Sequence, residues 1–231
     1  MDSDGSAIAQ GKRTQPLRRD AARNRERILA AACTVFAREG LSASMASVAR
    51  EAGVGIATLF RRFPALGDLV DAVFAERMNA YSQLVEQALA DPDPWRGFTG
   101  YVESVCAMQA ADRGFADVLT MTFPRAKGVE HARINAYRGF LKLTQRAKAT
   151  GRLRPDFAHQ DLVILLTANA GVIAATHETA PDTWRRLVAY MLQAFENHGS
   201  EHRGRLPKPP SAKALDQAMY RNAPASAADS R

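Results

Sequence analysis

Ser44-Met45-Ala46-Ser47-Val48-Ala49-Arg50-Glu51-Ala52-Gly53-Val54-Gly55-Ile56-Ala57-Thr58-Leu59-Phe60-Arg61-Arg62-Phe63 is the stretch whose reading decides the fold. Ser44 is a strong N-cap residue and opens a helix through Ala52, with Met45, Val48, Ala49 and Ala52 turned inward. Gly53 suits the left-handed turn that ends such a helix. Val54 fills the turn, a second helix runs from about Gly55 to Phe63, and Pro64 stops it. Val48 and Ala49 then face Leu59 and Phe63, and the small Ala49 and Ala52 permit a close crossing. The second helix keeps an outward face made of Gly55, Ile56, Ala57, Thr58, Phe60, Arg61 and Arg62. A helix presented in this way fits the ~12 Å width of a DNA major groove. Its N-terminal N–H groups point outward, which favours phosphate.

Charge supports the same reading. The chain of 231 residues carries 31 Lys and Arg against 24 Asp and Glu, a net +7. Residues 10–63 hold eleven of the basic residues and only four acidic ones, so the remainder is neutral. A basic first quarter on a neutral chain implies a polyanionic partner for that quarter. The hydrophobic fraction of 46% allows a sizeable core, and only 7% is aromatic. Abundant Ala and Leu with few β-branched clusters favour helices over sheets.

Outward from the quoted stretch, residues 1–19 lack periodicity and read as a flexible basic arm. Asp20 opens a helix whose Ile28, Ala32, Val35 and Phe36 share one face, and Gly40 stops it. Residues 20–65 thus form a three-helix DNA-binding unit. Residues 66–90 read as a long connecting helix. Asp93 as N-cap with Pro94 at the first helical position begins the next helix. Further helices are expected near 94–111, 113–121, 130–150, 158–178 and 182–198, making 66–199 a helical regulatory and dimerisation domain. Residues 200–231, polar and Pro-rich, read as a disordered tail with a transient helix near 212–220. The fold class is therefore all-α.

The offsets in residues 23–74 resemble the DNA-binding domain of the TetR/AcrR family of transcriptional regulators. Those offsets are an amphipathic helix, a Gly loop, Ser-Met, then Val-Ala, Ala-Gly-Val, Thr-Leu and Phe-Pro. Ala111-Asp112-Arg113-Gly114-Phe115 and Asn169-Ala170-Gly171 resemble the SbtR-like C-terminal subgroup. The resemblance implies that Ser44 caps the first motif helix and touches phosphate, and that Thr58 binds phosphate. It places Gly55, Ile56 and Ala57 at base edges. Phe60 stands where the family usually has Tyr and loses the hydroxyl. Arg62 stands where His or Tyr is common and is able to bond phosphate. Gly55 often corresponds to Ser, and Leu66 to a phosphate-binding Lys. With those polar contacts missing, Arg61, Arg62 and the arm (Lys12, Arg13, Arg18, Arg19) would do more of the holding.

The resemblance also implies a ligand pocket and a dimer interface after residue 95. Candidate pocket residues are Tyr101, Val105, Met108, Phe115, Leu119, Phe123, Tyr137, Phe140, Leu165, Asn169 and Ile173. Asn169 stands out, because an amide inside an apolar helix needs a partner, either a neighbouring backbone group or a ligand. Ala168, Gly171 and Ala175 suit close helix approach. With Trp184, Leu187, Val188, Met191 and Phe195 on the next helix, they would form a four-helix interface between two copies.

The expected function is a ligand-responsive repressor that binds a palindromic operator as a homodimer. The expected partners are double-stranded operator DNA, a small-molecule effector and a second copy of the chain. An activator, or a redox-responsive regulator using Cys33 or Cys106, is the alternative on the same fold. Both cysteines sit in apolar helical patterns and are expected to be buried. The sequence holds no nucleophile elbow, P-loop, dinucleotide fingerprint or metal-spaced cluster, so no enzyme, cofactor or metal is expected. The longest apolar run, Leu162 to Thr176, is too short for a membrane span and contains Asn169. With no signal-peptide core at the N-terminus, a cytoplasmic protein without a membrane partner is expected.

Overall fold

A computed structural model describes residues 14–123, 125–197, 199 and 206–222. It is all-helical, with α1 (Thr14–Glu39), α2 (Met45–Glu51), α3 (Ile56–Arg62), α4 (Leu66–Ala90) and α5 (Pro94–Ala111) leading the chain. These are followed by α6 (Arg113–Thr120), α7 (Lys127–Ala149), α8 (His159–Thr176), α9 (Thr183–Phe195) and α10 (Ala212–Asn222).

Local chemistry sets these boundaries. The Ser44 hydroxyl accepts from the Ser47 N–H at 3.0 Å and caps α2. Asp93 accepts from the N–H groups of Trp95 (2.9 Å) and Arg96 (3.3 Å), with Pro94 in the first turn of α5. Asp112 caps α6 through the Phe115 N–H and also pairs with Arg77 of α4. Two carboxylates reach back to the residue before their helix. Asp68 accepts from the Ala65 N–H at 3.0 Å, and Asp161 from the Ala158 N–H at 2.8 Å. Each satisfies a donor that the helix start leaves free.

One continuous core runs through the chain. Ile28, Val35 and Phe36 of α1 pack with Val48, Leu59 and Phe63 of the next two helices, and Leu66, Leu69 and Val70 of α4 join them. Beyond Phe74 the core becomes an aromatic ladder. Trp95 stacks on Phe98 (5.7 Å), Phe98 on Phe140 (6.0 Å) and Phe140 on Tyr101 (5.5 Å). Helix α4 packs against α1, α5 and α7 and so belongs to both regions. The last turn of α9 is fastened to the α7–α8 turn, where Arg154 N–H donates to Phe195 O and Asn197 N–H to Arg152 O.

Three expectations need correction. Helix α1 begins at Thr14, ahead of Asp20, so the end of the expected arm is helical; residues 1–13 of that arm lie outside the described residues. Pro16 falls in the first turn, where proline costs a helix nothing. Residues 212–222 are a formed helix set against the folded body, at the place where the sequence suggests only a transient helix in a disordered tail. Cys33 is exposed, because it sits on the outer face of α1 beside Thr34, while Cys106 is fully buried.

Candidate nucleic-acid interface and C-terminal cavity

Helix α3 lies across α1 and α2 with only Leu59 fully buried. Ile56 is 43% and Phe60 45% exposed, high values for large apolar side chains. Gly55, Ala57, Arg61 and Arg62 are exposed beside them, and Thr58 is half-buried. Ser44 is exposed, and its hydroxyl also contacts the Ser47 hydroxyl at 3.1 Å. The residues expected to meet DNA are therefore exposed, apart from the half-buried Thr58. Gly55 is the N-cap of α3 and supplies no side-chain cap, so the first turn of α3 presents free N–H groups outward.

Two arginines of α3 have partners within the chain. Arg62 donates to the Ala21 carbonyl of α1 at 2.7 Å, so in the free chain it latches α3 to α1. Arg61 reaches the Thr58 hydroxyl at 3.2 Å. Leu66, at the position of the missing lysine, is 1% exposed and belongs to the core. Sequence reading missed Arg27, which donates to Ala52 O (2.7 Å) and Gly53 O (3.4 Å) across the turn. Gly53 holds φ +61°, and a Cβ there would stand 2.9 Å from the Arg27 guanidinium. The turn is thus set by backbone conformation and by a clamp from another helix. Nothing near Arg27 in sequence announces a carbonyl on α2 as its partner.

A second site lies in the C-terminal half. A cavity of about 890 Å³ opens between α4, the end of α6, α7, α8 and α10. Of the expected pocket residues, Leu119, Tyr137 and Phe140 line it. Tyr101, Val105, Phe115, Phe123, Leu165, Asn169 and Ile173 are packed in the core, and Met108 is partly buried against it. Apolar faces predict burial, and burial alone does not tell a cavity wall from a filled core. Asn169 illustrates this. Its Nδ2 donates to Gln109 Oε1 (2.9 Å) and to Cys106 O (3.4 Å), and Gln109 donates to Leu166 O (3.1 Å). The amide nitrogen therefore finds its partners between α5 and α8, in a polar pair whose Gln109 half was not anticipated, while the buried Oδ1 makes no hydrogen bond.

Sequence reading also missed Arg133 and Glu130, both on the cavity wall. Arg133 donates through Nη2 to Val118 O (2.6 Å) and Met121 O (2.8 Å), at the C-terminal end of α6. The same helix also contacts the DNA-binding unit. Asp117 Oδ2 accepts from the Leu41 N–H at 2.7 Å, and Arg113 donates to Arg38 O at 3.3 Å. A Cβ on Gly40 (φ +73°) would stand 2.5 Å from Asp117 Oδ2, so glycine is required there for two reasons.

The residues expected at a dimer interface divide by exposure. Ala168, Gly171 and Ala175 are exposed on α8, while Leu187 and Met191 are half-buried. Trp184, Val188 and Phe195 are buried inside the chain, Phe195 against Phe157 at 4.9 Å. Burial pushes the Cys106 thiol up to about 12, and burial also raises Cys33; neither is a ready thiolate. Among the described residues there is no cluster of three or more side chains able to hold a metal ion. No helix among them is long and apolar enough to cross a membrane.

Comparison with known proteins agrees with this geometry. Residues 28–73 match the family of bacterial regulatory proteins of the tetR type, and residues 93–196 match the C-terminal domain of SbtR-like transcriptional regulators. No curated protein matches the chain. Among solved structures, the TetR regulatory protein of Mycobacterium vanbaalenii is 31% identical over 79% of this chain and all of its own, with a TM-score of 0.40. The TetR regulator SCO0520 of Streptomyces coelicolor is 26% identical over 76% of this chain and 99% of its own, with a TM-score of 0.46. The regulator FadR of Bacillus subtilis, solved with stearoyl-CoA, is 14% identical over 74% of this chain and 97% of its own, and its TM-score of 0.55 reflects a shared fold. The two matched regions cover the helix-turn-helix and the helical domain behind it, and the chain belongs to the TetR family of DNA-binding transcriptional regulators.

Proposed function

We propose that the chain is a ligand-responsive repressor that binds a palindromic operator as a homodimer. The observation that carries ligand response is the position of α6. Arg133 of the cavity wall holds the C-terminal half of this short helix. The same helix reaches the DNA-binding unit through Asp117, which accepts from Leu41 in the loop that leads into α2, and through Arg113 at its start, which donates to Arg38 O. A ligand that shifts Arg133 would pull on α6 and, through it, on the setting of the helix-turn-helix. Helix α4 adds a second link, with Tyr81 on the cavity wall and its other end packed against α1 of the DNA-binding unit. A ligand changes the outcome only by binding one setting better than the other.

Helix α8 supports the dimer. It carries no charged residue from Leu162 to Thr176, yet Ile164, Ala168, Gly171, Ala174 and Ala175 are exposed. A helix apolar on all sides is normally covered on all sides. A Cβ at Gly171 would meet nothing within 4 Å, which leaves room for a partner helix. Pairing across α8 and α9 would set two α3 helices for operator half-sites about 34 Å apart.

The test is a gel-shift titration of the full chain against DNA upstream of its own gene and its neighbours, with sedimentation to give the oligomeric state. A saturable band on one fragment, formed by a dimer and lost on mutating either half-site, is expected. Binding should weaken steeply with salt, with a slope near −0.9 per phosphate neutralised. A monomer, or equal affinity for every fragment, would sink the reading.

A further inference from the structure

The matched family regions end at residue 196, yet a segment beyond them supplies one wall of the cavity. The segment is fastened at its start, where the Leu206 N–H donates to Asp156 Oδ2 at 3.4 Å beside the α7–α8 turn. From there α10 turns Ala212, Leu215 and Met219 toward the cavity. These residues stand at i, i+3 and i+7, one stripe of a helix. Leu215 and Met219 are half-buried, whereas Ala214, Gln217 and Ala218 are exposed. A helix of 11 residues is marginal in water without cover for such a stripe. Across from it stand Phe140, Leu162 and Leu166, and between the two walls lies open space of about 890 Å³. That volume is in the range of small-molecule sites, and apolar walls hold water poorly.

One end of the space is polar. The Arg133 guanidinium spends Nη2 on two carbonyls, its buried Nε makes no hydrogen bond, and Glu130 lies 3.6 Å from it, a loose ion pair. Tyr81 lines the same end, and behind it stands Tyr101, 2% exposed, with its hydroxyl against that of Tyr81. Lys213 of α10 adds a second cation on the wall, so positive charge exceeds the single Glu130 carboxylate. Buried donors without acceptors are costly, and an acceptor group on a ligand would relieve them.

We propose that α10 completes an effector site for an amphipathic organic anion. Its apolar body lies between Leu215 and Met219 on one side and Phe140 and Leu166 on the other. Its single anionic head lies at Arg133. This rests on the reading of the C-terminal domain as ligand-binding, and it makes the segment after residue 205 part of the site.

Fluorescence titration of the full-length chain tests it with two probes of similar body. 8-Anilinonaphthalene-1-sulfonate carries an anionic head, and N-phenyl-1-naphthylamine carries none. Both are expected to bind saturably, the anion more tightly. Leu215→Asp with Met219→Asp, on the surface of α10, should weaken both by about tenfold, the effect of ~1.4 kcal/mol. Arg133→Gln should weaken the anion by about tenfold and leave the neutral probe within twofold, a ratio that does not depend on how much protein is folded. Unchanged or tighter binding in the α10 variant overturns the proposal, since α10 would then be a bystander or a plug. Equal effects of Arg133→Gln on both probes, or no saturable binding by the wild type, overturn it as well. A gel shift run beside each titration separates the two readings. Retained DNA binding with a failed probe result sinks only this inference. Tight probe binding that never changes DNA affinity sinks ligand response and leaves the site.

Discussion

The helix-turn-helix and the cavity are assembled in opposite ways. The first is built from one short run of chain: a serine cap, a glycine turn, and small residues where two helices cross. The second draws its walls from α4, α6, α7, α8 and α10, so that Tyr81 and Met219 meet around the same space. The local device is set largely by neighbours in sequence, with Arg27 of α1 clamping its turn from outside the run. The distributed one depends on how long helices lean on one another, which is the property a ligand is able to alter.

The largest effect should come from Leu59→Ala. This side chain has no exposed surface and is the one fully buried anchor of α3. Large-to-small changes of this kind cost about 2–5 kcal/mol. Operator binding should be lost, while the aromatic ladder from Trp95 to Phe157 keeps the C-terminal half folded. Calorimetry should then show an early, small transition ahead of the main one. A single transition lowered as a whole would mean that the two regions melt as one body and that the contrast between them is only architectural.

Gly53→Val comes next. Holding a β-branched residue at φ +61° costs about 1–2 kcal/mol, and the new Cβ would press on the Arg27 guanidinium. DNA affinity should fall by more than tenfold with little change in probe binding at the cavity. Arg27→Met should be milder, about 1 kcal/mol, the usual worth of a hydrogen bond to backbone. It leaves Ala52 O without its donor but keeps the stem packed. If Arg27→Met weakens DNA binding as much as Gly53→Val, the clamp rather than the glycine sets the turn.

These differences explain what was legible in the sequence. Ser44, Gly53, Pro64, Asp93 and Pro94 act on their immediate neighbours, so they placed α2 through α5 to within a residue or two. The face of α3 followed from helical periodicity. The cavity did not follow, because Phe140 at its wall and Phe98 in the ladder carry the same apolar signal. Arg133 gave no signal, since its acceptors Val118 O and Met121 O are backbone groups with no residue signature. The stripe Ala212, Leu215, Met219 was visible as a short helix, but its cover lies on other helices. Cys33 was misjudged because it borders the apolar face of α1 without being on it.

The smallest expected effect concerns the contact that joins the two regions. Burial raises the Asp117 carboxyl above its ordinary value; the Leu41 N–H and the Arg113 charge pull it back, and Asp112 pushes it up again. The folded chain therefore holds this proton more tightly than the unfolded chain does. The stabilisation from that proton is complete below the ordinary aspartate value and is lost as pH rises through the raised one, so at neutral pH the ionised group is carried at a cost. Asp117→Asn removes the charge and keeps an oxygen for the Leu41 N–H. The variant should be as stable as the wild type or slightly more so at pH 7, by about 1–3 °C for under 1 kcal/mol, and the advantage should shrink toward pH 4. A lower melting temperature at every pH would mean that attraction to Arg113 outweighs burial. In that case the junction between α6 and the Gly40–Leu41 loop is held by charge, and salt should loosen the helix-turn-helix from the cavity even when no DNA is present.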